Sequence, residues 1–389
     1  MPIARLDSRR YRMNAAAISP MTLSRRGFLG ATLASGFLST MPVMRGVAAD
    51  GPHSLLAGTR TLEINGRAAR VYSLIGPGGR PGIRIRTHER FRVALTNQSG
   101  QQTLVHWHGQ LPPWTQDGFP WPETPQLGVG ELRSYDYAPT GGTYWMRSHV
   151  GMQEQGLMTA PLIVEDKMSM RDDRQEIVLM LHDFTFRTPD EVLAGLTHPT
   201  ELPRAPTPHM DVNDVDFDAF LANDRTLSDP EIVRVERGGR IRLRIINGAS
   251  SSQFWIDLGG LTGHVVAVDG HAVNPVAGQR FPMAMAQRLD LLIDLPNSGA
   301  MPILAQLEGS PHRTGIVLAT PDSRIPSIGS QGPLAPPIDL SLETRLTATD
   351  PLRMRPADLV RTVSLDGGMK PYAWSMNGER WPNVTPLST

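Results

Sequence analysis

The sequence predicts an all-β protein made of tandem β-sandwiches, and three observations carry that expectation. The first is an ungapped internal repeat. Ile83-Arg-Ile-Arg-Thr-His-Glu-Arg-Phe-Arg-Val-Ala-Leu-Thr-Asn97 aligns with Val233-Arg-Val-Glu-Arg-Gly-Gly-Arg-Ile-Arg-Leu-Arg-Ile-Ile-Asn247, and Arg84/Arg234, Arg90/Arg240, Arg92/Arg242 and Asn97/Asn247 coincide at an offset of 150 positions. The second is that apolar and polar residues alternate in both copies, with a turn in the middle, which is the period of a half-buried strand. The third is turn chemistry. The 389 residues include 37 Gly and 34 Pro, a usage that suits many short strands joined by tight turns rather than long helices.

Taken in order, the chain divides as follows. Thr22-Leu23-Ser24-Arg25-Arg26-Gly27-Phe28-Leu29-Gly30 has the twin-arginine form of an export signal. An apolar stretch from Phe28 to Phe37 and a small-residue cleavage site at Val47-Ala48-Ala49 follow it. That stretch is too short to span a bilayer, which takes about 20 apolar residues. Residues 1–49 are therefore expected to be a signal, with a mature protein beginning near Asp50 in the bacterial periplasm. The first sandwich is expected over 55–166, opened by a hairpin turn at Asn65-Gly66. The second is expected over 175–321, with the matching turn at Asn223-Asp224 and a long surface loop from Leu193 to Asp214. A Pro-, Gly- and Ser-rich linker runs from Asp322 to Pro337. Residues 338–389 open a third copy, with Asn377-Gly378 standing 154 positions after Asn223. The third copy has barely opened at Thr389, so a truncated third domain is the expectation.

Charge and cysteine content exclude several functions. With 38 basic and 38 acidic residues the net charge is zero, which argues against nucleic acid or an anionic membrane surface as partner. The absence of cysteine removes disulfides, zinc–thiolate and iron–sulfur sites and thiol nucleophiles. It also removes a blue (type 1) copper centre from these residues, since that centre needs a thiolate beside two imidazoles.

The chemistry-bearing residues lie in the first sandwich. In His106-Trp107-His108-Gly109 the two histidines sit two apart, so on a strand they share a face while Trp107 takes the other. In Tyr144-Trp145-Met146-Arg147-Ser148-His149, Arg147 and His149 form a second same-face pair. Three imidazoles from two strands make a plausible copper environment. Arg147 is the misfit, because guanidinium has no lone pair to offer a metal. The corresponding stretch of the second copy, Gly299 to Gln306, has no histidine, so the site belongs to one copy only. His182 reads as a hydrogen-bonded structural residue, and His264, His271 and His312 stand singly with no partner at ligand spacing. Met152 and Met158 read as core filler.

His106-Trp-His-Gly109, Gly142-Thr-Tyr-Trp-Met-Arg-Ser-His149 and Gln153-Glu-Gln-Gly-Leu-Met-Thr-Ala-Pro-Leu-Ile163 resemble the first cupredoxin domain of multicopper oxidases of the laccase-like, copper-resistance and spore-coat types. The resemblance continues through the second sandwich and the stretch from Trp374 to Leu387. It implies tandem cupredoxin-like Greek-key sandwiches. It also implies oxidation of phenols or metal ions, with dioxygen reduced to water. By the same resemblance His106 would bind the type 2 copper, and His108 and His149 the type 3 pair, with Arg147 standing where a further ligand belongs. Asp117, in Gln116-Asp-Gly118, matches an acid that delivers protons to dioxygen in such oxidases; it also reads as a plain Asp-Gly turn.

The third-domain ligand strings of the family, His-Pro-x-His-Leu-His and His-Cys-His, do not occur in these residues. An oxidase-family protein, exported by the twin-arginine machinery and inactive as this chain, is the leading expectation. A periplasmic scaffold or division-associated protein that has given up copper is the alternative. A two-domain copper enzyme that builds its cluster between subunits is the third, disfavoured by the missing thiolate.

Overall fold

The turn at Asn65-Gly66 takes backbone that few residues adopt: φ is 50° at Asn65 and 82° at Gly66. That pair of left-handed residues matches the twist of a two-residue hairpin, and it joins β1 (His53–Ile64) to β2 (Arg67–Ile75) in antiparallel register. The computed structural model describes residues 51–389, apart from 87, 122–123, 167–171, 198–211, 214, 370–371, 381 and 388–389. The export signal expected at 1–49 lies outside the described residues.

The first repeat copy folds as two strands, β3 (Ile83–Arg86) and β4 (Phe91–Asn97), with the turn between them. Then come β5 (Val105–His108), β6 (Leu132–Tyr137), β7 (Gly142–Ser148) and β8 (Thr159–Glu165). They form two four-stranded sheets, β2-β1-β4-β6 and β3-β8-β7-β5. Alternation sets the faces: Phe91, Val93 and Leu95 of β4 point inward with Trp107, Tyr135, Tyr137, Tyr144 and Met146, closing one core. Phe91 stacks on Tyr137 at 4.6 Å and meets Trp107 edge-on at 4.8 Å, geometries that aromatic rings favour.

The second sandwich repeats this plan. Its strands are β9 (Gln175–Phe184), β10 (Ala219–Ala222), β11 (Ile232–Arg234), β12 (Arg240–Asn247), β13 (Phe254–Asp257), β14 (Gly263–Val268), β15 (His271–Gly278), β16 (Arg280–Met283), β17 (Arg288–Asp294), β18 (Ala300–Leu307) and β19 (Arg313–Ala319). They form a six-stranded sheet, β10-β9-β12-β17-β14-β15, and a five-stranded sheet, β11-β19-β18-β13-β16. The sequence repeat is a repeat of topology. β3 and β11 each pair in parallel with the last strand of their own sandwich. β4 and β12 each lie between a parallel and an antiparallel neighbour.

Three features differ from the sequence expectation. The stretch read as a surface loop from Leu193 begins inside a helix, α1 (Pro189–Thr197). A capping box starts it: Thr188 Oγ1 accepts from the Glu191 amide, and Glu191 accepts from the Thr188 amide at 2.7 Å. Most of the rest of that loop lies outside the described residues. The segment read as a linker lies against the second sandwich, because Trp255 donates its indole N–H to the Pro336 carbonyl at 2.9 Å and Ala335 is buried. Leu342 then joins the second core, so the chain leaves that sandwich later than Asp322. Beyond it, β20 (Leu365–Met369) and β21 (Tyr372–Met376) pair as a separate two-stranded antiparallel sheet, and a turn at Asn377, with φ 52°, follows β21.

Residues 51–389 form one compact unit, and two kinds of contact join the sandwiches. Trp145 and Ile163 pack against Met180 and Ile246. Beside them, the buried Arg244 guanidinium lies 2.6 Å from Asp290 and donates to Thr143 at 2.9 Å, while Thr143 donates to Asp290. Thr143 belongs to the first sandwich, so a charged pair of the second is completed across the seam. No helix among the described residues is long and apolar enough to cross a membrane.

Candidate metal centre

β5 and β7 are antiparallel neighbours, with His106 opposite Arg147 and His108 opposite Trp145. The even-numbered residues of β5 are half-buried and the odd ones fully buried. Both histidines therefore stand on the face away from the core, and Trp107 fills it. His149 follows the last residue of β7 and returns toward the same place, its amide donating to the Leu104 carbonyl at 3.3 Å. Ring centroids lie 5.8 Å apart for His106–His108 and 5.1 Å apart for His106–His149. The structure thus brings together the three histidines singled out in the sequence.

His106 is held from behind. Its Nδ1 lies 3.0 Å from the Asp117 carbonyl and 3.2 Å from the Asp117 carboxylate, so Nδ1–H donates and Nε2 keeps its lone pair. A carboxylate or carbonyl behind an imidazole is the arrangement that orients metal-binding histidines. Gly118 makes this approach possible. Its φ is +71°, and a Cβ there would lie 1.8 Å from the Val105 carbonyl oxygen, so only glycine fits. Gln116 completes the clamp: its carbonyl accepts the Trp107 indole N–H at 2.9 Å, and its side chain accepts from the Asp136 amide. Asp117 is therefore more than a turn residue, since both of its acceptors face His106.

The imidazoles are kept neutral. Burial holds His108 down at about 3, with the Arg288 and Arg147 charges adding to the effect. Burial and Arg147 hold His149 at about 4. Burial lowers His106 as well, against the opposing pull of Asp117. Neutral imidazole is the form that binds metal. His108 Nδ1 is buried without a hydrogen-bond partner, a costly state for a polar atom and one that a metal bond would relieve.

Arg147 behaves unlike a ligand. Its Nη1 lies 2.7 Å from both carboxylate oxygens of Glu154, and its guanidinium sits 5.2 Å from the Trp145 ring centre. Burial raises the Glu154 carboxyl, with Arg147 opposing. Among the described residues, no three His, Asp or Glu side chains surround one point closely enough to hold a single ion. The donor types fit copper, but the side chains as placed close no single-ion cage.

Sequence reasoning missed Glu154, Phe119 and Arg288. Glu154 stood inside a quoted motif, seven residues after Arg147, and an acid at that distance from an unmatched arginine was the available signal. Phe119, 5.2 Å from the His149 ring, follows Gly118 directly. Arg288 arrives from the second sandwich, and no local pattern announces it. His182 is structural as expected: 4 % exposed, with Nε2 2.7 Å from Thr159 Oγ1. Met158 is core, also as expected.

Comparison with known proteins adds the following. Two sequence profiles described as multicopper oxidase match residues 60–169 and 175–320. The multicopper oxidase MmcO of Mycobacterium tuberculosis is 30 % identical, over 95 % of this chain and 81 % of its own length. Copper resistance protein A of Escherichia coli is 27 % identical, over 74 % of this chain and 53 % of its own length. The laccase of Botrytis aclada superposes with a TM-score of 0.66 at 20 % identity, covering 84 % of this chain and 63 % of the laccase. The chain thus spans little more than half of the copper resistance protein and under two thirds of the laccase.

Proposed function

The chain belongs to the multicopper oxidase family, and on that premise we propose that His106, His108 and His149 are copper ligands, one half of a type 2 and type 3 ligand set. The family's cofactor is copper, which when bound supplies the redox chemistry that carries electrons from a phenol or metal-ion donor to dioxygen. His106 offers Nε2, because Asp117 occupies Nδ1. His108 offers its buried, unpartnered Nδ1. Asp117 positions His106 and is the acid beside the cluster, the point from which a proton would pass toward dioxygen. Arg147 stands in a ligand's place and, paired with Glu154, contributes no donor.

The observation that carries this reading is the convergence of three neutral imidazoles, one with its outer nitrogen fixed and one with a buried nitrogen left unpaired. The 389 residues contain no cysteine, so they supply no thiolate for type 1 copper. We infer that these residues bind copper without oxidising a phenol, and that they do so in the periplasm after twin-arginine export. The alternative, a non-catalytic periplasmic scaffold, is favoured by the closed Arg147–Glu154 pair.

Titration of the purified chain with Cu(II), beside a variant carrying His106→Ala, His108→Ala and His149→Ala, separates the two readings. Saturable binding lost in the triple variant is expected. Equal binding by both proteins, or none by either, would leave the scaffold as the better account.

A further inference from the structure

A cavity of about 830 Å³ opens at the seam between the sandwiches, and none of the three histidines lines it. Small-molecule sites fall in this range of volume and favour such seams. Its walls come from both sandwiches and from β21, which contributes Tyr372. Tyr72 stands on β2, Phe184 ends β9, and Phe186 and Phe217 follow from the second sandwich. Phe184 and Phe186 meet edge-on with ring centres 5.0 Å apart. Val192 and Leu196, four apart on one face of α1, line the cavity too. No residue of α1 is buried, so its apolar stripe faces the cavity instead of a packed core. The capping box, not core packing, starts this helix.

The polar groups are distributed unevenly. Among the described lining residues the acid is Asp183 and the bases are Arg70 and Arg187. Asp183 is fully engaged. One oxygen accepts from the Ser250 amide and hydroxyl at 2.9 and 2.8 Å, and the other from the Ser251 amide and the Ser252 hydroxyl, each at 2.9 Å. Its charge is met by fixed donors. Among the described residues Arg70 has one long contact, to Thr59 at 3.3 Å, and Arg187 donates to the Asp216 carbonyl at 2.9 Å and from Nε to Thr185 Oγ1 at 3.5 Å. Both guanidinium groups therefore keep donors that a carboxylate or sulfonate can take.

We propose that this cavity is a binding site for a small amphipathic organic anion, an aromatic carboxylate or sulfonate. Its ring body packs among the five lining aromatic side chains, and its acid group meets Arg70 and Arg187. The site is independent of copper.

Fluorescence titration of the full chain with 8-anilinonaphthalene-1-sulfonate tests this, with the uncharged N-phenyl-1-naphthylamine as comparison dye. One saturable site is expected for the sulfonate. Leu196→Trp fills the cavity from an unburied helix position and is expected to weaken both dyes about tenfold or more. Arg70→Gln with Arg187→Gln, both at the surface, is expected to weaken the sulfonate about tenfold and to leave the neutral dye unchanged. The proposal is overturned if binding is not saturable, if Leu196→Trp has no effect, or if the double variant weakens both dyes equally.

Discussion

Replacing Asp290 by alanine tests how the two sandwiches are joined. Asp290 and Arg244 are 3 % and 1 % exposed, and their charged atoms lie 2.6 Å apart. Removing the carboxylate leaves a buried guanidinium that still holds Glu176, whose side chain is about a fifth exposed. Breaking a buried pair costs about 3–5 kcal/mol, and the surviving Glu176 contact places this case near 3. Thr143, in the other sandwich, loses its acceptor for about 1 kcal/mol more. Asp290→Ala is therefore expected to lose about 3–4 kcal/mol in urea unfolding followed by tryptophan fluorescence and far-UV circular dichroism. Changing both partners, Asp290→Leu with Arg244→Met, removes the uncompensated charge and should recover about half of that loss. A single-variant cost below about 1 kcal/mol, or a double variant less stable than Asp290→Ala, would refute the view that the seam is held by this pair.

Three further outcomes are expected. Gly118→Ala must move the turn away from the Val105 carbonyl, taking Asp117 off His106. Copper affinity should fall about tenfold or more, read by competition with a chelator; unchanged affinity would show that the clamp is irrelevant. Arg147→His with Glu154→Gln exchanges an ion pair for a fourth imidazole and should raise bound copper per chain by mass spectrometry, whereas an unaltered ratio would place Arg147 outside the ligand set. His182 gives a pH effect on stability. Burial depresses its folded pKa, so the unfolded chain, titrating near 6.5, takes up the proton first as pH falls. Stability linked to His182 is complete above that value and lost as pH falls toward the folded pKa, by up to about 1 kcal/mol between pH 7 and 5.5. His182→Gln should remove that component from unfolding curves measured at the two pH values, and identical pH slopes would contradict it.

Much of this was legible in the chain. The repeat at 83–97 and 233–247 mapped onto strand pairs of matching topology, because alternation of period two and left-handed turn residues are local properties. Asn65, Asn223 and Asn377 all take the positive φ that their turns require. The convergence of His106, His108 and His149 was legible for the same reason, since strand geometry fixes which side chains share a face. What escaped depends on distant or subtle partners. Helix α1 was hidden by the prolines and glycine around it, and its capping box, Thr188 with Glu191, was the overlooked signal. The placement of Ala335 and Pro336 against Trp255 follows from tertiary contact that composition does not encode, so a Pro-rich stretch read as a linker proved to be attached. Arg288 reaches the neighbourhood of His108 only because the two sandwiches pack together. Arg147, standing where the motif calls for a ligand, is ion-paired through Nη1 with Glu154, which no motif comparison reveals.

Anomalous X-ray scattering at the copper absorption edge, from crystals of the copper-loaded chain, tests the central claim most directly. Copper peaks are expected within bonding reach of the His106, His108 and His149 imidazoles, with none at Arg147 Nη1. Copper bound elsewhere on the chain, with these three rings free of metal, would contradict it.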